Sequence, residues 1–425
     1  MNPALQQVRM AYLVSEYPAI SHTFILREVK RLRALNFEVA VASINSPRRP
    51  SGGFASEERE ENATTFYIKK AGVTGALRAH LRTIIARPAA YLRGLVFALA
   101  LGETDLVQLL YAIFYFTEAL ILGNWMEDCG LPHVHVHFAN PASTVGLIAS
   151  RVFAIGFSFT VHGPDEFYDV RGQRLREKIE GASFVICIGY FARSQLMKVA
   201  PFGNWNKFDI APLGVDLGVF AKAPSRLTIG PFKILCVGRL VPAKGQHTLV
   251  AALDLLVKAG RDVNLRFIGD GPDRASLEYD VKSRGIAGCV SFEGSVNQDQ
   301  IGRFYREADA FVLASFAEGI PVVLMEAMAM EIPCVSTMIT GVPELIRDGV
   351  DGLLVMPSDE RALAETIARL IDDEGLRRRL GSAGRRRVAE KYDLNTNVEL
   401  LARIFRSRLS QKSCAVIARV NGEIS

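Results

Sequence analysis

The chain has 425 residues, which is too long for one ordinary domain and about right for two, since a domain usually holds roughly 100 to 200 residues. Hydrophobic residues make up 49% and charged residues 22% of the sequence, a composition that excludes a disordered chain. The net charge of +5, from 50 basic and 45 acidic side chains, would suit a phosphate-bearing ligand or an anionic membrane surface. It is too small to indicate nucleic-acid binding.

The cysteines and the apolar segments favour a cytoplasmic protein. Six cysteines are scattered without the CxxC spacing of a metal site, so we interpret them as reduced core thiols. The apolar run near the N-terminus is shorter than the roughly 7 to 15 residues of a signal-peptide core. The most apolar segment, residues 109–122, is interrupted by Glu118 and falls short of the roughly 20 residues of a membrane helix. We therefore expect neither export nor a membrane span.

The first half of the chain alternates strand-like and helical patterns. It opens with a predicted strand at 8–14, a helix at 23–35 and a strand at 38–43, which form a βαβ unit. A polar loop is expected at 46–62, followed by a long helical region at 74–127 that breaks near Pro88 and Gly102. Further strands are predicted at 134–138, 157–161 and 184–188. This alternation predicts a parallel sheet covered by helices.

A turn-rich stretch, residues 214–231, separates this half from a second alternating series. Strands are predicted at 232–237, 264–268, 290–292, 310–313 and 334–336, with helices at 245–259 and 321–330. The pattern predicts two Rossmann-like α/β domains, at 1–215 and 232–392, joined by a linker at 216–231. A last helix at 393–410 is expected to pack back on the first domain, with a frayed tail from Gln411.

A glycine-bounded loop follows the first strand of the second domain. It runs from Gly238 to Gly245 and carries Arg239 and Lys244, at a point where glycine lets the backbone approach a ligand. A diphosphate would fit, because Arg239 can bind two oxygens at once while Lys244 supplies a point charge. Fixed cations there would stabilise a departing nucleoside diphosphate. The alternative interpretation is two surface cations beside an ordinary turn.

A second constellation spans residues 314–328. Pro321 suits the first turn of a helix, so the amides of Gly319 and Ile320 are expected to point at solvent or at an anion. Glu318 precedes this helix and Glu326 lies inside it, so both carboxylates can face one pocket. Because carboxylates accept hydrogen bonds from sugar hydroxyls, we assign Glu318 to a donor sugar and Glu326 to a ribose diol. Their spacing alone is weak evidence.

The second half of the chain resembles the retaining family-four glycosyltransferases of the two-Rossmann type. The Glu-x7-Glu signature of that family is matched by Glu318 and Glu326. Five further segments are family-like and occur in the same order, at residues 238–245, 267–272, 290–294, 341–344 and 348–354. Together these motifs cover nearly the whole second half, which makes chance a poor explanation.

The resemblance implies a GT-B fold, in which two Rossmann-like domains face each other across a cleft. It implies that Arg239 and Lys244 bind the diphosphate of a UDP- or GDP-sugar, that Glu318 contacts the transferred sugar and that Glu326 holds the ribose. Residues 292–296 would lie by the base. The residues expected to bind the donor are Gly238, Arg239, Lys244, Gly319, Ile320, Pro321 and Glu326. No metal and no other cofactor is expected.

Two segments of the first half also resemble the family. Residues 159–165 look like the family's histidine-bearing loop, which implies that His162 reaches the donor sugar and acts with Glu318 in catalysis; the alternative is a structural histidine. Residues 18–28 resemble the first loop of members that assemble exopolysaccharides such as colanic acid. Ser21, His22 and Thr23 are therefore expected on the acceptor side. Those members usually carry an acidic residue where His22 stands, and a plain helix cap by Ser21 is the alternative.

Two other patterns have competing interpretations. His133, His135 and His137 project to one face of a strand, which fits a metal site in principle, but no acidic or cysteine partner is near in sequence and we favour a packed strand end. The arginines at 78, 82, 87 and 93 stand beside apolar residues. They indicate either peripheral contact with an anionic membrane, on its inner face, or an ordinary solvated helix face.

The leading hypothesis is a hexosyltransferase that retains the anomeric configuration and acts on a lipid-linked or other surface-polysaccharide acceptor. The rival enzymes are a sugar-nucleotide epimerase or a phosphorylase of the same architecture, although no cofactor-lysine motif of a phosphorylase is present. A non-catalytic scaffold that binds nucleotide-sugars is the rival outside enzymes. A dinucleotide-dependent oxidoreductase is weaker still, because no GxGxxG follows residues 8–14.

Overall fold

The computed structural model describes residues 7–19, 23–48, 54–102, 105–221 and 230–422, with the backbone alone described at 298–299 and 411–422. The chain divides into two compact units. The first unit comprises Met1–Ile188, Ala192–Ala211 and Val398–Ser425, and the second comprises Gly189–Phe191 and Pro212–Asn397. Residues 212–215, which we predicted in the first domain, belong to the second unit because the Val215 N–H donates to the Tyr392 carbonyl at 2.9 Å.

The first unit is a seven-stranded parallel sheet with helices between the strands. The strand order is β3-β2-β1-β4-β5-β6-β7. Its elements in chain order are β1 (Val8–Glu16), α1 (Thr23–Ala34), β2 (Phe37–Asn45), α2 (Ser56–Thr64), β3 (Phe66–Tyr67), α3 (Gly72–Ala86), α4 (Pro88–Leu101), α5 (Leu106–Asp128), β4 (His133–His137), α6 (Pro141–Phe153), β5 (Gly156–Val161), α7 (Asp165–Tyr168), α8 (Leu175–Gly181), β6 (Phe184–Cys187), α9 (Tyr190–Val199) and β7 (Phe208–Ile210). The central strands are buried on both faces, as helix-covered parallel strands must be.

Two expectations for the first unit were wrong. The loop predicted at 46–62 contains helix α2, whose first turn is fixed because the Glu58 carboxylate accepts the Ala55 N–H at 2.9 Å. The apolar segment expected to be too short for a membrane helix lies in α5, which has 23 residues and is long and apolar enough to cross a membrane by length and composition. Glu118 does not interrupt this helix.

The second unit is a six-stranded parallel sheet. The strand order is β10-β9-β8-β11-β12-β13. Its elements are β8 (Phe232–Val237), α10 (Gln246–Lys258), β9 (Val263–Ile268), α11 (Arg274–Ser283), β10 (Val290–Phe292), α12 (Gln298–Glu307), β11 (Ala310–Leu313), α13 (Val322–Ala329), β12 (Cys334–Thr337), α14 (Val342–Leu345), β13 (Leu353–Val355), α15 (Glu360–Asp372) and α16 (Glu374–Lys391). Counted from β8, this is the 3-2-1-4-5-6 order of a doubly wound nucleotide-binding fold.

The last helix, α17 (Leu394–Gly422), belongs to the first unit from Val398 onward. The Phe405 ring lies 4.9 Å from that of His135, and the Arg406 guanidinium donates to the Leu35 carbonyl at 2.7 Å. The helix does not end at 410 or fray from Gln411 as expected, because neither proline nor glycine occurs between 411 and 421 to stop it.

The cysteines only partly fit the expectation of core thiols. Among the five whose surroundings are described, Cys187, Cys236 and Cys334 are buried. Cys129, which follows α5, is exposed, and Cys289, the last residue of a short 3-10 helix, is half-buried.

Candidate functional site

The topology of the second unit brings two of the predicted loops together. Strands β8 and β11 are neighbours at the centre of the sheet, where the strand order reverses. Residues 238–245 follow the carboxyl end of β8, and residues 314–321 follow the carboxyl end of β11. Ligands of open parallel sheets bind at this switch point.

The two loops are in direct contact through a glycine. Gly245 has a φ of +59°, and a Cβ atom built on it would lie 2.1 Å from the carbonyl oxygen of Ala314. The Phe316 N–H donates to the Ala243 carbonyl at 2.8 Å. Any side chain at Gly245 would therefore push the loops apart, and the glycine is required by both conformation and space.

Lys244 and Glu318 form an ion pair between the loops. The distance from Lys244 Nζ to Glu318 Oε1 is 2.6 Å, and the Ser315 hydroxyl donates to the same oxygen at 2.7 Å. The Glu318 residue is only 7% exposed, whereas the Lys244 side chain keeps a quarter of its surface in solvent. Burial raises the pKa of the adjacent Cys236 thiol to about 12, so this thiol stays protonated.

The backbone after Glu318 is held by the loop that follows β12. The Thr340 hydroxyl donates to the Glu318 carbonyl, and a Cβ atom on Gly341 would lie 2.3 Å from the Gly319 carbonyl oxygen. Ile320 is buried. Pro321 caps α13 instead of lying in its first turn, because its ψ of 119° is extended, so the helix begins one residue later than predicted. The first amides of α13 still lack intrahelical partners.

Glu326 lies on the buried side of α13. The residue is 1% exposed, and its Oε2 accepts a hydrogen bond from the Tyr305 hydroxyl at 2.9 Å. The same hydroxyl lies 3.3 Å from the Val323 carbonyl oxygen. Tyr305 is thus a partner that the sequence did not suggest, since it lies 21 residues before Glu326 on another helix.

Arg239 and Gly238 lie at the rim of the same loop cluster. The Gly238 N–H donates to the Ile268 carbonyl at 2.9 Å, and a Cβ atom on Gly269 would lie 2.0 Å from the Gly238 carbonyl oxygen. The Arg239 side chain is exposed and forms no ion pair with any residue in the described ranges. It is therefore available to an anionic ligand.

In the first unit, the loop of His162 is fixed by a buried carboxylate. Oε2 of Glu166 accepts the N–H groups of His162 at 2.5 Å and of Gly163 at 2.9 Å. Burial raises the pKa of Glu166, and these hydrogen bonds and Lys178 oppose the shift. Burial likewise lowers the pKa of Lys178, whose ammonium donates to the carbonyl of Ala139 at 3.0 Å.

His162 belongs to a buried polar chain. Its Nε2 lies 3.1 Å from Nδ1 of His137, and Nε2 of His137 lies 3.3 Å from Oε1 of Glu28. The Tyr12 hydroxyl donates to the same Glu28 oxygen at 2.7 Å. Thr23, the first residue of α1, is half-buried, and the next ring, Phe24, lies 5.1 Å from that of His162. Ser21 and His22 lie outside the described residues.

The three histidines of β4 do project to one face, as predicted; hydroxyls of β5 are the partners of His133 and His135, whereas His137 faces His162 and Glu28. The Ser158 hydroxyl lies 2.7 Å from Nε2 of His133 and 2.8 Å from Nδ1 of His135. Burial lowers the pKa of His135 well below its usual value. In the part of the chain that the structure describes, no group of three histidine, cysteine or carboxylate residues could hold a metal ion.

Comparison with known proteins identifies the class of enzyme. Residues 221–387, which contain both loops of the switch point, match the family model of glycosyl transferases group 1. The chain is a glycosyltransferase whose second half is similar to group 1. The residues of the second unit that sequence alone singled out therefore lie in the segment that defines the family.

The similarity of this glycosyltransferase to individual proteins extends further. An uncharacterised glycosyltransferase of Methanocaldococcus jannaschii is 28% identical over 287 residues, which cover 64% of this chain and 75% of that protein. The putative colanic acid biosynthesis glycosyltransferase WcaL of Escherichia coli is 34% identical over 168 residues, 38% of this chain and 41% of that protein. The fold resembles Anabaena HepE in complex with UDP, with a TM-score of 0.70, 18% identity and coverage of 94% and 100% of the two chains. The fold is that of GT-B enzymes.

Sequence reasoning missed several residues that surround or fix the loop of His162. Glu28, His137, Glu166 and Lys178 were not singled out as a group, because 150 residues of chain separate the first from the last and only the fold brings them near His162. The one local signal was Glu166, which follows His162 by four residues. A carboxylate at that spacing can accept the amides that close a loop.

Proposed function

We propose that this glycosyltransferase moves a hexose from a UDP- or GDP-sugar to a surface-polysaccharide or lipid-linked acceptor, with retention at the anomeric carbon and without a metal ion. The observation that carries the proposal is the Lys244–Glu318 pair at the switch point of the second unit, beside the exposed Arg239. Cations and a buried carboxylate at one sheet edge match a ligand that joins a diphosphate to a sugar.

The cations would act on the leaving group. Transfer leaves negative charge on the nucleoside diphosphate, and Arg239 and Lys244 can meet that charge without rearrangement of the backbone. The free amides at the start of α13 would add their dipoles. These groups can supply the electrostatic role that a divalent cation has in other transferases, which is why we propose that no metal is needed.

The carboxylates would bind hydroxyl groups. Glu318 is already held by Lys244 and Ser315, so its second oxygen is aimed by the protein and can accept a hydrogen bond from the transferred sugar. We assign the ribose to Glu326, which Tyr305 orients. Neither carboxylate is proposed as a nucleophile. Attack by the acceptor on the face from which the diphosphate leaves would give retention.

The relatives support the class of substrates. WcaL is named for colanic acid biosynthesis, and HepE was solved with UDP. A cytoplasmic enzyme in contact with the inner face of a membrane would meet both a nucleotide-sugar and a lipid-linked acceptor. Rival functions for the chain are a scaffold that binds nucleotide-sugars without reaction and a sugar-nucleotide epimerase.

The test is a panel of UDP-, GDP- and ADP-hexoses with purified full-length protein and excess chelator. We expect release of nucleoside diphosphate from one class of donor, and loss of release in Glu318→Ala. The matched control is Glu390→Ala, an exposed carboxylate on α16 that should change nothing. The anomeric configuration of the sugar first released, measured by nuclear magnetic resonance, tests retention.

Each rival function predicts a different result. Binding of a donor without release would support the scaffold, and conversion of the donor sugar without loss of the nucleotide would support the epimerase. If release stops when chelator is added and returns with a divalent cation, the proposed role of Arg239 and Lys244 is wrong.

A further inference from the structure

The first unit exposes an unusually apolar surface on α3, α4 and the first half of α5. In the described residues, 13 of the 23 exposed large hydrophobic side chains lie between positions 73 and 114. Val73 is 77% exposed and Ile85 is 80% exposed. We call the outer sides of these helices the apolar helical face. Contiguous surfaces of this kind mark sites of interaction with a protein or a membrane.

The exposed residues of α3 form one stripe. Leu77, Leu81 and Ile84 follow Val73 at the spacing of a single helix face, whereas Ala79 and Thr83 face the core on the opposite side. Helix α4 repeats this pattern with Leu92 and Val96 outside and Ala98 inside. Both helices therefore present apolar side chains to the outside as well as to the core, which is unusual for a surface helix.

Helix α5 combines an exposed and a buried half. Leu106, Leu110 and Phe114 are 73%, 52% and 64% exposed, while Leu120, Leu122 and Met126 are completely buried in the core of the first unit. Only 33% of the most apolar 18-residue stretch of this helix is buried. Because the second half belongs to the protein core, the helix cannot leave the unit to span a bilayer without exposing that core. Contact with the surface of a bilayer is compatible with both halves.

The charge of this region selects the occupant. Residues 68–102 contain six lysines and arginines and no acidic residue. Arg82 and Arg87 are neutralised by Asp128 and Glu127, so the four arginines do not act alike. Arg78 and Arg93 are exposed and flank the apolar stripes of α3 and α4. Aliphatic side chains rimmed by exposed cations match the acyl region and the anionic headgroups of a lipid surface.

We propose that the apolar helical face docks peripherally on an anionic phospholipid bilayer. The stripes of α3, α4 and α5 enter the boundary between headgroups and acyl chains, and Arg78 and Arg93 contact lipid phosphates. The docking concerns the first unit alone and does not depend on the donor or the acceptor. The sequence indicated membrane contact from the arginines. Here the exposed aliphatic side chains provide the main attraction to the bilayer.

The test is co-sedimentation of the full-length protein with vesicles of phosphatidylcholine and phosphatidylglycerol, and with vesicles of phosphatidylcholine alone. We expect binding to the anionic vesicles and an apparent affinity at least about tenfold weaker for the triple variant Leu77→Gln, Leu81→Gln, Ile85→Gln. The matched control replaces three exposed apolar residues of the second unit, Val219→Gln, Val350→Gln and Met356→Gln, and should bind like the parent protein. The double variant Arg78→Gln, Arg93→Gln should lose the preference for phosphatidylglycerol.

Failure of the proposal is visible in the same experiment. Because all substituted side chains are exposed, we expect the variants to fold. An unchanged thermal unfolding temperature will verify this. Absence of vesicle binding by the parent protein would overturn the proposal, as would equal binding by the Leu77, Leu81, Ile85 triple variant. A dimer in light scattering that this triple variant converts to a monomer, without vesicle binding, would assign the face to a second copy of the chain. Nucleoside diphosphate release in solution should not change in any variant, so failure here is separate from failure of the proposed transferase activity.

Discussion

The Nζ atom of Lys244 lies 2.6 Å from Oε1 of Glu318, across 74 residues of sequence, and the Ser315 hydroxyl donates to the same oxygen. The pair joins the loop after β8 to the loop after β11 at the centre of the second sheet. A carboxylate as buried as Glu318 is costly unless a cation neutralises it. Lys244 therefore stabilises the buried Glu318 carboxylate, and a bound diphosphate must compete with Glu318 for the same ammonium group.

This competition predicts opposite effects of Glu318→Gln on binding and on transfer. Glutamine keeps the shape but not the charge, so Lys244 becomes fully available to the diphosphate. We expect UDP or GDP, whichever is the natural nucleotide, to bind about 2 to 10 times more tightly, a gain of roughly 0.5 to 1.4 kcal/mol. Transfer should fall by about 100-fold or more, since the carboxylate no longer binds the sugar in the transition state. Calorimetric titration and steady-state kinetics measure the two effects.

Lys244→Met is the complementary variant. It should weaken binding of the nucleoside diphosphate and also lower thermal stability, because it leaves the Glu318 carboxylate buried without a cation. The double variant Lys244→Met, Glu318→Gln should regain part of that stability. If Glu318→Gln weakens binding of the diphosphate instead, the ion pair does not compete with the ligand.

Substitution of Gly245 should lower the free energy of unfolding more than the same substitution at a matched glycine. Gly245→Ala places a Cβ atom 2.1 Å from the Ala314 carbonyl oxygen at a φ of +59°, whereas Gly260→Ala, at a φ of +73°, meets nothing within 4 Å. The second variant carries only the cost of the left-handed conformation, about 1 to 2 kcal/mol. We expect Gly245→Ala to cost about 2 kcal/mol more in urea unfolding, since the backbone must also shift. Equal losses would mean that the loops around Gly245 separate easily.

Much of the second unit could be predicted from sequence because the patterns that indicate it are short and contiguous in the chain. The order of strands and helices, the glycines of the 238–245 loop and the carboxylates at 318 and 326 all follow from short patterns. The Lys244–Glu318 contact could not be predicted as a distance, because it depends on β8 and β11 becoming neighbours. For the same reason Tyr305 was not predicted, because it contacts Glu326 only once α12 and α13 have packed together.

The first unit was harder to predict because its informative contacts are non-local. Alternation of His133, His135 and His137 correctly placed them on one face, but the hydroxyls on β5 that contact His133 and His135 could not be predicted, because they lie on another strand. Helix α2 was missed because its residues are mostly charged, and Glu61 is held by the Tyr17 hydroxyl and the Arg33 guanidinium, which lie in other parts of the chain. Exposure of the apolar stripes on α3 and α4 cannot be read from their sequence, since the same pattern usually faces a core.

The buried chain from Tyr12 to His162 predicts coupled effects of substitution. Nε2 of His137 lies 3.3 Å from Oε1 of Glu28, and we infer that this nitrogen carries the ring proton, so that Nδ1 of His137 accepts from Nε2 of His162. Glu28→Gln allows the opposite arrangement, and we expect kcat to fall about tenfold with little change in KM, a typical effect for loss of an orienting partner. Glu28 is in this sense a positioning residue.

A double-mutant cycle separates positioning from general destabilisation. His162→Ala should lower the rate of transfer more than Glu28→Gln does, and adding Glu28→Gln to His162→Ala should cause no further loss. The pH profile of kcat should shift in Glu28→Gln but not in the control Glu390→Gln. Additive losses in the cycle would show that Glu28 acts on the fold and not through His162.

Glu118 predicts how the stability of the first unit depends on pH. Burial in α5 raises the pKa of this carboxyl from 4.5 to about 7, although Lys69, whose ammonium lies 3.8 Å away, opposes the shift. A raised pKa means that the folded state binds the proton more tightly than the unfolded chain does. The stability that Glu118 contributes is therefore fully present below pH 4.5 and is lost as pH rises through about 7. Glu118→Gln is neutral at every pH and avoids this loss.

We therefore expect Glu118→Gln and the parent protein to unfold at similar urea concentrations near about pH 5, and the variant to be more stable near about pH 8 by roughly 1 to 3 kcal/mol. The exposed Lys69 loses a distant partner, which should matter by less than about 1 kcal/mol. Glu390→Gln provides the control at an exposed site and should follow the parent protein at both pH values. If Glu118→Gln instead destabilises the protein at the higher pH, the carboxylate is ionised and usefully paired with Lys69, and burial does not dominate its titration.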